Sequence, residues 1–134
     1  MKKLAVIVPC YNEELVITES YRRTKAAMEK LSVSTEIIYI NDGSRDKTRE
    51  ILNEIASRDP HVKVIHFSRN FGHQPAVTVG INNCDADLAV IMDADMQDPP
   101  ALLPEMISTL ESGEYDSVAT RRVSRKGEPM VRSF

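Results

Sequence analysis

Short apolar runs recur along the chain, separated by longer stretches in which apolar residues return every three or four positions. Residues 4–8 (LAVIV) are apolar throughout and end at Pro9; 37–40 run into Asn41-Asp42-Gly43; 62–67, 88–92 and a weaker 115–120 complete the set. Short runs rich in β-branched residues suit strands buried on both faces of a parallel sheet. Between them the period changes. Over 13–31, Ile17, Tyr21, Thr24, Ala27, Met28 and Leu31 follow a helical repeat, with Asn12 as the expected N-cap and Glu13 and Glu14 at the positive end of the dipole. A second helix is predicted over 46–58, carried by Ile51, Leu52, Ile55 and Ala56 and stopped by Pro60. Pro75 opens a third over 76–83. Pro99-Pro100 precede a fourth, with Leu103, Met106, Ile107 and Leu110 on one face and Gly113 at its C′ position.

Strands alternating with helices imply right-handed crossovers and a doubly wound, mostly parallel α/β sheet. In such a sheet ligands bind beyond the carboxyl ends of the strands, where the strand order reverses. The segments there are 9–13 (PCYNE), 41–44 (NDGS), 68–74 (SRNFGHQ) and 93–98 (DADMQD), all polar and rich in side chains that bind ligands. No GxGxxG follows the first strand, no GxxxxGK[ST] occurs, and GxSxG is absent. A dinucleotide fingerprint, a P-loop and a nucleophile elbow are therefore excluded.

Composition narrows the class further. The chain has 134 residues, is 42% hydrophobic and carries a formal charge of −3, which fits one ordinary globular core rather than a disordered chain. Two cysteines, Cys10 and Cys84, make neither a disulfide framework nor a four-ligand zinc site, so a reducing compartment is expected. No apolar run approaches the ~20 residues of a membrane span. The pI of 5.6 argues against a general nucleic-acid binder. Charge is unevenly placed: residues 1–120 hold 12 basic and 19 acidic groups, whereas 121–134 hold five basic groups and Glu128. The expected division is an α/β domain over 1–120 and a basic segment over 121–134, which either is simply solvated or faces phosphate or an anionic membrane.

The strongest chemical signal is Asp93-Ala94-Asp95 at the end of an apolar strand. A turn there lets two carboxylates approach one centre, a donor set that suits Mg²⁺ or Mn²⁺ and substrate phosphates; Gln97 and Asp98 add oxygen donors. The alternative is a pair of loop carboxylates capping the next helix. Asp42 either belongs to an Asp-Gly turn or accepts hydrogen bonds from a nucleobase or ribose. Tyr11 offers a face for a base and Glu13 an acceptor, or both belong to ordinary strand termination and helix capping. Arg69 suits phosphate or solvent. His73 reads as an exposed polar residue and the cysteines as small packing residues.

Together, VIVPCYNEE (6–14), YINDGSRDKT (39–48), FSRNFGHQPAVTVGI (67–81) and IMDADMQDPP (91–100) resemble glycosyltransferase family 2, whose GT-A fold binds nucleotide-diphosphate sugars. RNFGHQPA and DADMQDPP look most like its polyprenyl-phosphate branch, the dolichol-phosphate mannosyltransferase-like and bactoprenol glucosyltransferase-like enzymes. The resemblance implies that Pro9, Tyr11, Glu13 and Asp42 hold the nucleoside and that Asp93 lies near ribose and diphosphate. It further implies that Asp95 ligates a divalent cation, Mg or Mn, with Gln97 as a second ligand, and that Arg122 and Arg125 face phosphates or the acceptor. Where the family often has a glycine before that basic run, this chain has Ala119-Thr120.

The implied reaction is inverting transfer of a hexosyl group from a nucleotide-diphosphate sugar, UDP-linked, to a polyprenyl phosphate at the cytoplasmic face of the membrane. Alternatives are a family-2 transferase acting on a polysaccharide hydroxyl and a non-catalytic nucleotide-binding or interaction domain of the same fold. Family members continue into an acceptor-side region that carries the catalytic acidic residue and membrane-associated helices. The resemblance therefore puts the general base beyond Phe134 and gives no residue of this chain that role. The chain is thus expected to be the donor-binding part of a larger enzyme, soluble and inactive alone, and able to self-associate through the face the remainder would cover.

Overall fold

The computed structural model describes residues 3–31, 33–94, 118–123 and 129–133. Strands β1 (Lys3–Cys10), β2 (Ser34–Asn41), β3 (Val62–His66) and β4 (Leu88–Ile91) alternate with helices α1 (Ile17–Glu29), α2 (Thr48–Arg58) and α3 (His73–Asn82). The four strands form one parallel sheet in the order β3-β2-β1-β4. Register is set from the middle of β1, where Val6 pairs with Ile37 on one side and Val90 on the other.

Each strand serves two cores. Leu4, Val6, Val8 and Cys10 pack with Ile17, Met28, Leu52 and Ile55 of α1 and α2, whereas Ala5 and Ile7 pack with Ala76 and Val77 of α3. Period-2 alternation thus explains why the strands are apolar throughout: both faces are covered. Helices α1 and α2 lie on one face and α3 on the other, as right-handed crossovers require when the order turns back across β1. α3 approaches closely through Gly80, where a Cβ would stand 2.5 Å from Ile7 Cγ2 and 2.8 Å from Ile40 Cδ1.

β1 outruns its neighbour β4. Pairing with β4 ends at Ile7↔Ile91, while pairing with β2 continues to Cys10↔Asn41. The Ile7 carbonyl accepts the Met92 N–H at 2.9 Å. Two residues on, the absent N–H of Pro9 therefore faces the β4 side, past the end of β4's pairing, where proline costs no ladder bond. The strands part at this point, and it is also where the strand order reverses.

Three expectations need correction. α1 begins at Ile17, so Asn12 is not its N-cap; it adopts φ +52° and helps join two loops instead. α3 begins at His73, which puts Pro75 inside its first turn rather than at its start. The last apolar run does not extend the parallel sheet. It forms β5 (Val118–Val123), next to β4 but paired antiparallel with β6 (Pro129–Ser133) in a two-stranded sheet. Nothing in the hydrophobic pattern pointed to β6. The expected fourth helix lies outside the described residues.

Candidate functional site

Where β1 and β4 separate, a cleft of about 520 Å³ opens at the carboxyl ends of the strands, lined by Pro9, Cys10, Tyr11, Glu13, Asp42, Asn70, Gly72, His73, Asp93 and Ala94. Its volume falls in the range of small-molecule sites. Five sequence-predicted residues, Pro9, Tyr11, Glu13, Asp42 and Asp93, line this one cavity although they come from three different strand ends. Asp95, Gln97 and Arg125 lie outside the described residues. So do Phe134 and, with it, the general base expected beyond that position. Arg122 lies in β5.

Asp42 follows β2 and is buried, with 5% of its surface exposed. Its carboxylate is held by the β3–α3 loop. Oδ1 accepts the Phe71 N–H at 2.7 Å, Oδ2 accepts the Gly72 N–H at 3.0 Å, and Asn70 Nδ2 donates to Oδ2 at 3.1 Å and to the Asp42 carbonyl at 3.2 Å. A buried carboxylate needs such donors. Gly43 lets the loops meet. Its φ is +70°, and a Cβ there would lie 2.2 Å from the Arg69 carbonyl carbon. Beside it, Phe71 packs edge-on against Phe67, ring centroids 5.4 Å apart, and carries the Arg69 guanidinium 4.3 Å above its ring.

A second set of bonds joins the β1–α1 and β2–α2 loops. Successive backbone N–H groups of Asn12, Glu13 and Glu14 donate to Ser44 Oγ (2.9 Å), Thr48 Oγ1 (2.9 Å) and Asp46 Oδ2 (3.1 Å). In return, Asn12 Oδ1 accepts the Arg45 N–H at 2.8 Å. Asp46 also takes the Thr48 N–H and hydroxyl at the start of α2. Burial works to raise the Asp46 pKa, but these donors outweigh it and hold the carboxyl below its usual range. Ser44, Asp46 and Thr48 therefore fix the wall that presents Tyr11 and Glu13.

Cys10 lines the cleft but is no nucleophile. Burial, reinforced by Glu13, pushes its thiol well above the ordinary value, and the thiolate is the reactive form. Tyr11 is 43% exposed at the mouth, leaving a ring face accessible. Asn70 and Gly72 were not singled out from the sequence. The available signal was the rule that loops after parallel strands build the site, and it applied to the segment after β3 as much as to the others. Among the described residues, no three His, Cys, Asp or Glu side chains group as metal ligands.

Four parallel strands, helices on both faces and a cleft at the reversal of strand order define an α/β domain with the GT-A fold. Solved structures share this fold. Residues 1–349 of Staphylococcus aureus TarS in complex with UDP-GlcNAc superpose with a TM-score of 0.67 at 24% identity, covering 82% of this chain and 31% of that one. Mycobacterium tuberculosis glucosyl-3-phosphoglycerate synthase, crystallised with Mn²⁺, UDP and glucosyl-3-phosphoglycerate, gives 0.64 at 24% identity, covering 84% and 41%.

Residues 5–133 match the model of glycosyl transferase family 2, and the chain belongs to that family. An uncharacterized glycosyltransferase of Bacillus subtilis, YkcC, is 48% identical over 92% of this chain and 38% of its own length. The undecaprenyl-phosphate 4-deoxy-4-formamido-L-arabinose transferase of Photorhabdus laumondii is 40% identical over 94% of this chain and 39% of its own. The prophage bactoprenol glucosyl transferase homolog of Escherichia coli is 37% identical over 92% and 40%. The chain spans about two fifths of the length of these relatives.

Proposed function

We propose that the cleft binds the nucleotide of a nucleotide-diphosphate sugar, UDP-linked, and that the whole protein transfers the hexosyl group with inversion to a polyprenyl phosphate. The observation that carries this reading is the convergence of Asp42 and Asp93 on one cleft, from opposite sides of the β1/β4 parting. Relatives named for undecaprenyl phosphate and bactoprenol support the acceptor class.

In this reading Tyr11 stacks on the base, Pro9 shapes the strand end beneath it, and Glu13 and Asp42 accept hydrogen bonds from the nucleoside. Asp93 faces ribose and diphosphate. Oxygen donors from Asp93, Asp95 and Gln97 suit a hard divalent cation, Mg or Mn, which when bound would neutralise charge on the departing nucleotide diphosphate. An acceptor phosphate oxygen is already anionic. It attacks the anomeric carbon opposite the leaving group, forming the new C–O bond as the bond to the diphosphate breaks, and it needs less help from a base than a hydroxyl does. Arg122 and Arg125 serve the phosphates or the acceptor. Such chemistry belongs at the cytoplasmic face of a membrane; no helix among the described residues is long and apolar enough to cross one.

Calorimetry with UDP and GDP, with and without Mn²⁺, tests the donor site. Binding that strengthens with Mn²⁺ and loses that increment in Asp95→Asn is the expected result. No binding at millimolar nucleotide under any of these conditions removes the reading.

A further inference from the structure

A hydrogen-bonded chain runs from the outer edge of β3 to the cleft wall. Ser44 N–H donates to Asn41 Oδ1 at 3.1 Å. A backbone N–H can only donate, so the Asn41 amide is oriented and its Nδ2 faces His66 Nδ1 at 3.0 Å. Nδ1 must then be the acceptor. The proton sits on Nε2, which donates to Asn53 Oδ1 at 2.7 Å. Beyond Ser44 the chain continues, because Ser44 Oγ accepts the Asn12 N–H between the cleft residues Tyr11 and Glu13. Asn41 itself is 2% exposed and precedes Asp42.

We propose that His66 is a positioning residue for the nucleotide site: as the neutral Nε2–H tautomer it holds Asn41, and through Asn41 the Ser44–Asn12 link that sets the cleft wall. This rests on the nucleotide reading above. The groups that face it are Asn41 from β2 and Asn53 and Arg49 from α2. Asn53 Oδ1 accepts from Nε2–H in either protonation state, whereas the Asn41 amide and the Arg49 charge both disfavour a cation. A proton on Nδ1 meets the Asn41 amide N–H₂. Turning that amide over would satisfy His66 but set its N–H₂ against the Ser44 N–H. Either way the wall loses a bond. Burial and the Arg49 charge both lower the His66 pKa, so the holding form prevails at neutral pH and is lost on acidification.

The experiment pairs two readouts on the 134-residue chain, wild type and His66→Asn, between pH 7.5 and 5.5. One is the amide shifts of Ser44 and Asn12 by NMR, with far-UV circular dichroism as a check on folding. The other is calorimetry with UDP-glucose, whose diphosphate diester has no ionisation in this window. In the wild type both amides are expected to move with the His66 ring resonances, and affinity to fall by up to about fivefold by pH 5.5, on the way to the roughly tenfold limit that one pK unit of coupling sets at lower pH. In His66→Asn, whose Oδ1 stands on Cγ as Nδ1 does and still accepts from Asn41 but carries no titrating group, both dependences should flatten while affinity at pH 7.5 is retained. Amides that ignore the His66 titration, or equal acid loss of affinity in both proteins, overturn the proposal. Moving amides with no UDP-glucose binding at any pH would uphold the relay and reject the nucleotide reading.

Discussion

The carboxylate of Asp42 accepts the backbone N–H of Phe71 at 2.7 Å across 29 positions of sequence. A residue that the sequence offers as a nucleoside ligand is thus also the anchor of the loop opposite. Asp42→Asn replaces one acceptor oxygen by a donor that would face the Gly72 N–H or the Asn70 amide. Leaving a buried donor unsatisfied costs about 1–3 kcal/mol. Urea unfolding should show a loss of that size, and nucleotide affinity should fall with it. Unchanged stability would mean that the loop does not depend on this carboxylate.

Gly43→Ala should be worse than its size suggests. The alanine would have to adopt φ +70° and place Cβ against the Arg69 backbone at 2.2 Å, where no side chain can move aside. Positive φ alone costs a non-glycine residue about 1–2 kcal/mol, and the clash adds to it. A fall in the thermal midpoint several times larger than that of Ser44→Ala is expected; similar midpoints would contradict the close approach.

At the other end of the sheet, Asp59 ties α1 to the end of α2. It accepts from the Tyr21 hydroxyl at 2.5 Å and pairs with Lys25 Nζ at 2.9 Å. Burial opposes ionisation of Asp59, but these partners and the His61 N–H prevail and bring its pKa down to about 2. Burial and the Asp59 bond push Tyr21 up to about 12. Because the folded carboxyl titrates below the unfolded one, its contribution is complete above pH ~4–5 and is lost as the pH falls through about 2. The contribution is about 2 kcal/mol. Stability measured from pH 7 to 2 should therefore decline less steeply in Asp59→Asn than in wild type, from a lower starting value. Parallel curves would assign the acid limb to other groups.

The 134-residue chain is expected to bind donor without transferring sugar. It spans about two fifths of its relatives, and aligning two substrates supplies several orders of magnitude in rate. A radiolabelled transfer assay with sugar nucleotides and polyprenyl phosphate checks this, and robust turnover would place the acceptor site within these residues.

The strands were legible because each is buried on two faces, so that even Ile37-Ile38-Tyr39-Ile40 reads as one unbroken run. Their polar beginnings were not. Ser34, Thr35 and Glu36 pair in register with Lys3–Ala5; Glu36 is buried there as a carboxylate paired with Lys3 and Lys63, which an apolar pattern does not show. The start of α1 was misread for a related reason. Asn12-Glu13-Glu14 has the composition of a capped helix start, but the backbone N–H groups there are satisfied from 32 or more positions away by Ser44, Thr48 and Asp46, and no local rule sees those donors' partners. The cleft residues after β1, β2 and β4 were visible as polar loops. The loop 68–74 was visible in the same way, but Asn70 and Gly72 within it were not picked out, because their importance depends on Asp42.

The joining of the β1–α1 and β2–α2 loops is lopsided. Asn12, Glu13 and Glu14 contribute their backbone N–H groups, with the Asn12 side chain accepting from Arg45 in addition, whereas Ser44, Asp46 and Thr48 contribute side chains. Mutation therefore meets very different resistance on the two sides. Replacing 44, 46 or 48 removes an acceptor, while exchanging the side chain at 13 or 14 keeps the backbone N–H that donates there. The join thus resists change at 44, 46 and 48 more than at 13 and 14, and a library built on this cleft would do well to leave 44, 46 and 48 alone.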